Sequence, residues 1–146
     1  MDKFWKYFFT ASLFWFVVDF TTAFSPDVGR WISYMPAIWI FYFGSPLLFA
    51  GLIYRKKWSD KQIFIPMLLV LLLLEIILFG NVLLFTFPLL LIMIPIAVCI
   101  YSFITYVPRW IVDTRLKENK KKVALLFSVW LLVAVLSLIT RLKGGG

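Results

Sequence analysis

The sequence predicts an all-α integral membrane protein, a bundle of five transmembrane helices with a cytoplasmic N-terminus and a C-terminus outside. Three observations carry this. Of the 146 residues, 63% are apolar and only 15% charged, against roughly 45–50% and about 25% in an ordinary soluble domain. The apolar residues come in runs of about 18 to 24, long enough to cross a hydrocarbon layer roughly 30 Å thick at about 1.5 Å per residue. The basic residues gather between alternate runs, as they do in cytoplasmic loops. The longest hydrophilic stretch, Pro108–Lys122, is 15 residues long, so little remains for a water-soluble catalytic or binding domain.

The spans fall at approximately Phe4–Phe24, Trp31–Tyr54, Ile63–Phe85, Phe87–Val107 and Val123–Thr140. Asp19 inside the first run, and the length of that run, favour a retained span over a cleaved secretory signal, although Thr21-Thr22-Ala23 faintly resembles a small-residue cleavage site. The second run starts after a short Ser25–Gly29 loop, where Asp27 is placed to cap the helix. The third and fourth runs are continuous in hydropathy. Gly80-Asn81 and Pro88 supply the turn chemistry inside them, so a tight helical hairpin is predicted. Residues 1–143 then form a single transmembrane domain, and Gly144-Gly145-Gly146 reads as an added tail.

Charge tests this count independently. Five spans with the N-terminus inside place Lys3, Lys6, Arg55, Lys56, Lys57, Lys61, Arg109, Arg115, Lys117, Lys120, Lys121 and Lys122 on the inner face, twelve of the 15 basic residues. The outer face keeps Arg30, Arg141 and Lys143. Fusing spans three and four would split the basic loops between the two faces. The same distribution explains the net charge of +8 without nucleic acid: the expected partners are membrane lipids, including anionic headgroups, and either further copies of the chain or a larger membrane complex. The predicted location is the plasma membrane of a prokaryote.

Between spans four and five, Pro108–Lys122 reads as a short amphipathic segment on the inner face. It opens with proline and carries Arg109/Asp113, Asp113/Lys117 and Glu118/Lys122 at i,i+4 spacing. Trp110, Ile111, Val112 and Leu116 would rest in the interface. Arg109, Trp110, Arg115 and Lys117 are the candidates for headgroup contact or partner docking.

Function is sought among the residues that are expensive in lipid. Glu75 lies about 18 Å from the start of span three, near the bilayer centre, where an ionised carboxylate costs about 2.5–3.5 kcal/mol. No Lys or Arg stands mid-span to pair with it. It is either a proton- or cation-exchanging carboxylate or a structural hydrogen-bonding group. Asp19, about 8 Å from the outer end of span one, shares a helix stripe with Ser12, Trp15 and Thr22, which should face protein. Arg30 is its expected ionic partner. Gly44-Ser45-Pro46 interrupts span two, where a proline ring opposes the carbonyl of Tyr42 and should kink or open the helix. Ala37, Gly44 and Gly51 also make a smooth packing face.

Trp5, Tyr7, Tyr54, Trp58, Tyr106 and Trp110 fall at inner ends and Trp31 and Tyr34 at an outer end, as interface belts do. The deeper Trp15, Trp39, Tyr42 and Trp130 carry donors that could reach Glu75 or the freed carbonyls. The candidate site is therefore Glu75, Asp19, Ser45, Pro46, Trp39 and Tyr42.

With no histidine and the single Cys99, no disulfide forms within the chain and no metal or redox cofactor is expected. The sequence shows no HExxH, GxSxG, Walker, Rossmann or paired-cysteine motif. Three functional classes remain: a small transporter or channel coupled through Glu75, a non-catalytic subunit or assembly factor of a larger membrane complex, and an enzyme acting on a lipid or isoprenoid.

Overall fold

The computed structural model describes residues 2–78 and 87–144. The chain is all-helical over these residues. Helix α1 (Lys3–Asp19) runs on as a π-wound turn, Phe20–Phe24, and α2 (Val28–Ala50) ends in a second, Gly51–Arg55. Helix α3 (Asp60–Leu72) continues as a third π-wound stretch, Leu73–Leu78; α4 spans Leu90–Val112 and α5 spans Lys120–Lys143. Among the described residues, four helices are long and apolar enough to cross a membrane: Lys3–Phe24, Val28–Arg55, Leu90–Val112 and Lys120–Lys143. The Gly80-Asn81 turn, the outer end of the predicted third span and Gly145-Gly146 lie outside the described residues.

Local chemistry sets the helix starts. Asp27 accepts the Arg30 backbone N–H at 2.9 Å and caps α2, satisfying one of the unpaired donors of a first turn. Ser59 and Gln62 form a reciprocal capping box at α3, which starts that helix at Asp60, three residues before the apolar run. Proline does not break the helices. Pro36 and Pro46 lie inside α2, Pro66 inside α3, and Pro95 and Pro108 inside α4. Each removes one backbone hydrogen bond, and the helices stay continuous across them; the expected opening at Pro46 does not occur. Pro46 and Pro108 are fully buried, so packed protein covers the helices at both prolines.

Helices α1 and α4 form the centre. On α1, Phe4, Tyr7, Ala11, Trp15 and Val18 are buried on one face, the stripe produced by 3.6-residue periodicity, and they pack against α2 and α4. The second half of α4 is buried on every side from Tyr101 to Pro108, because α1, α3 and α5 all pack around it. Helix α5 is peripheral: Leu126 is its one buried residue, while Leu125, Leu131, Leu132, Leu136 and Leu142 are exposed. An apolar surface of that extent is stable against lipid rather than water.

Ion pairs gather several helix ends at one end of the bundle. Lys3 lies 3.7 Å from Asp113, Arg55 3.9 Å from Asp2, and Arg109 2.8 Å from Asp60. Arg141, on the last turn of α5, closes the opposite end by donating to the carbonyls of Thr21, Thr22 and Ser25.

The predicted amphipathic segment, read as a lipid-hugging extension of span four, is helical in its first part only and does not hug lipid through Trp110. Helix α4 does not stop at Val107 but runs through Val112, and a series of turns with Thr114 at φ 56° leads to Lys120. The basic Lys120–Lys122 run is the first turn of α5. The reason is Trp110: it is 4% exposed and lies inside the bundle, stacked on Tyr106 at 5.8 Å, instead of resting on lipid.

Candidate functional site

Asp19 and Glu75 line the same cavity. It has a volume of about 760 Å³ and is bounded by the end of α1, the start of α2, the π-wound end of α3, the first half of α4 and Val133 of α5. Helix lengths bring the acids together. Both helices rise from the same end of the bundle, and Asp19 follows Lys3 by 16 residues as Glu75 follows Asp60 by 15, so both stand about 22–24 Å along their helices. Glu75 is therefore farther toward the Arg141 end than a start at Ile63 suggested, because the capping box begins α3 earlier.

Each acid is held by a phenol from another helix. The Tyr42 hydroxyl on α2 donates to the Asp19 carboxylate, and the Trp31 indole N–H donates to the Tyr42 oxygen at 3.0 Å. The Tyr101 hydroxyl on α4 donates to Glu75 at 2.9 Å. Trp15 lies between these arms, its ring 6.2 Å from Tyr42 and 5.7 Å from Tyr101. Asp19 immediately precedes the π-wound Phe20–Phe24, and Glu75 lies within Leu73–Leu78. Such windings disturb the regular hydrogen-bond ladder and recur at functional sites.

Arg30 also lines the cavity. Its expected ion pair with Asp19 is not among the ion pairs of the described residues; the guanidinium instead lies over the rings of Phe24 and Tyr34 at 5.9 and 5.8 Å. An aromatic bracket of this kind holds a cation through the ring quadrupole. The cavity thus carries two acids on its wall and one arginine beside them, with Thr22, Tyr34 and Tyr101 as further polar lining and Ile38, Met93, Ile96, Ala97 and Ile100 among the apolar residues.

The other predicted site residues divide. Ser12 and Trp15 are buried and Thr22 is half-buried, so the α1 stripe faces protein as expected. Tyr42 belongs to the site through Asp19. Ser45 and Pro46 are buried in helix packing and do not line this cavity. Trp39 is 52% exposed and points away from it: the 100° step between residues puts positions 38 and 42 on the inward face of α2 and position 39 outside. Trp130 donates to Thr21 at 3.0 Å rather than to an acid.

At the other end, the four predicted docking residues are divided too. Arg109, whose side chain is 12% exposed, pairs with Asp60 at 2.8 Å and Asp113 at 3.6 Å, and Arg115 reaches the same two acids at 3.5 and 3.7 Å. The short Arg109–Asp60 contact is an ion pair by distance although its angles are not those of a hydrogen bond. Tyr54 donates to Asp113 at 3.0 Å and Trp110 to Asp60 at 3.3 Å. Arg109 and Trp110 are therefore internal cross-links, while Lys117 is exposed. Tyr7 and Tyr106, expected in the interface, are buried and donate to the backbone carbonyls of Thr105 and Asp60 at 2.9 and 2.7 Å.

Sequence reasoning missed Tyr101, Asp60 and the anchoring role of Arg141. Ser-x-x-Gln at 59–62 was the available sign that a helix begins at Asp60. Tyr101 has no comparable signature, since its partner stands 26 positions earlier. No group of three or more His, Cys, Asp or Glu able to hold a metal occurs among the described residues. The chain matches no known protein-family model, no curated protein and no solved structure.

Proposed function

We propose that the protein is a small multi-pass transporter or channel in which Asp19 and Glu75 form a proton- or cation-exchanging site. One observation carries this reading: two acids, on different helices of an apolar bundle, line one cavity of about 760 Å³. A purely structural acid needs a hydrogen-bond partner but no cavity. Two carboxylates in low-dielectric surroundings disfavour a double negative charge, so a proton or a cation entering between them is stabilised. The exchange balances in charge: a monovalent cation enters as the site releases one proton, and a proton returns as the cation leaves.

The architecture proposed for this function is five spans, with the Lys/Arg-rich end in the cytoplasm and the Arg141 end outside, in a prokaryotic plasma membrane. The ion pairs that join the start of α1, the end of α2, the start of α3 and the end of α4 support it, since consecutive spans must alternate in direction. A homo-oligomer is proposed because the bundle encloses little volume and leaves α5 exposed.

Purified protein in liposomes with an entrapped pH indicator tests the exchange. A sodium or potassium gradient should change the internal pH with wild-type protein, and Glu75→Gln should abolish the change. Undiminished exchange by Glu75→Gln would remove Glu75 from the mechanism, and no exchange by wild type with either cation would remove the exchange reading.

A further inference from the structure

We infer that a second cavity, at the opposite end of the bundle, is a binding site for a single anionic phospholipid. This cavity, of about 490 Å³, lies between α3 and α5 and is floored by α4. Its size falls within the roughly 300–1,000 Å³ typical of small-molecule sites. It owes its existence to packing: α3 and α5 each pack on α4 and have little contact with each other, which leaves a groove between them.

The lining is graded. Ser102, Tyr106 and Trp110 recur every four residues along α4 and make the floor, and Phe64 with Leu125 and Leu126 make the apolar walls. Lys61 and Lys122 stand where the two walls begin, in the first turns of α3 and α5. The groove is therefore cationic at one end and apolar along its length, which complements a phosphate headgroup joined to an acyl chain.

Charge pairing identifies which cations are available. Asp60, the acid in the lining, is engaged by Arg109, Arg115 and Trp110, and Asp113 by Lys3, Arg109, Arg115 and Tyr54. Lys61 and Lys122 take part in no ion pair among the described residues and both are exposed. Two uncompensated ammonium groups flanking a groove with an aromatic floor select an anion over a zwitterion, and the apolar walls select a lipid over a free phosphate. The site shares no lining residue with the Asp19–Glu75 cavity, so the inference stands whether or not that cavity exchanges ions.

Native mass spectrometry of the full chain, titrated with phosphatidylglycerol or phosphatidylcholine, tests it. One phosphatidylglycerol should bind more tightly than phosphatidylcholine. Lys61→Gln/Lys122→Gln should weaken it roughly thirtyfold, from the attraction of two basic residues for an anionic lipid. Lys56→Gln/Lys57→Gln removes the same charge outside the groove and should change binding less than twofold. Glycerol phosphate, the headgroup without chains, should fail to compete. A brominated acyl chain should quench wild-type tryptophan fluorescence, and Trp110→Phe should lose that part of the quenching. Equal binding of the two lipids, equal loss in the two double variants, or competition by glycerol phosphate would overturn the assignment.

Discussion

Asp19 and Glu75 differ from the other charged residues in their partners. Asp60 and Asp113 face arginines, and Asp19 and Glu75 each accept a hydrogen bond from a phenol, that of Tyr42 and that of Tyr101. A phenol carries no charge of its own, so in the proposed mechanism it orients the carboxylate and leaves the charge change to the exchanged proton or cation. Tyr101→Phe and Tyr42→Phe should each cost about 0.5–1.5 kcal/mol in thermal stability, the ordinary worth of one hydrogen bond, while lowering cation-driven proton exchange in liposomes at least severalfold. Loss of stability with undiminished exchange would make the phenols purely structural. Both acids were legible in the sequence because charge in an apolar run is conspicuous. Their donors were legible only in part: Tyr42 was a candidate donor with Glu75 rather than Asp19 as its expected acid, and Tyr101 resembled any tyrosine in a span. Which hydroxyl meets which acid depends on helix rotation, and composition does not encode it.

At the scale of the element, two arginines hold helix ends. Arg141 of α5 binds three carbonyls around the π-wound end of α1, where backbone acceptors would otherwise lack donors. Arg141→Ala should lower stability by about 1.5–3 kcal/mol, the range for hydrogen bonds to charged groups, read as a thermal shift in detergent. Arg141→Lys should recover part of it, having charge but no planar fork. Arg109 joins α4 to the start of α3 through Asp60. Its replacement by Leu should cost about 3 kcal/mol, toward the lower end for a broken buried pair because Asp60 is partly exposed. The sequence marked Arg109 as basic and interfacial. It could not distinguish a lipid contact from an internal bridge, since the deciding partner comes from 49 residues away. Both start signals are local, yet only the Asp27 cap was read and the Ser59 box was missed; an extension of span four past Pro108 was read, but the burial of Trp110 within it depends on distant partners.

For the whole molecule, the same logic that predicted the spans accounts for the exposed apolar surface and for charge concentrated at one end. The proposed topology makes an external check possible. In a Cys99→Ala background, Lys57→Cys should react with a membrane-impermeant maleimide only after the cytoplasmic face is opened, and Lys143→Cys should react in intact cells. Labelling of both from one side would contradict the alternation of five spans. What no one-dimensional reading supplied is the meeting of α1 and α3 at one depth, since these helices are separated in sequence by all of α2. That meeting turns two isolated acids into one site, and it rests on equal helix lengths from a shared end.

The most direct measurement is proton release on cation binding. Purified wild-type protein in weakly buffered detergent, given sodium or potassium, should release protons in proportion to protein with one of the two cations. Asp19→Asn and Glu75→Gln should each diminish the release, and the double variant should show none. Release from the double variant equal to that of wild type, or none from wild type with either cation, would contradict the claim that these two carboxylates form one exchanging site.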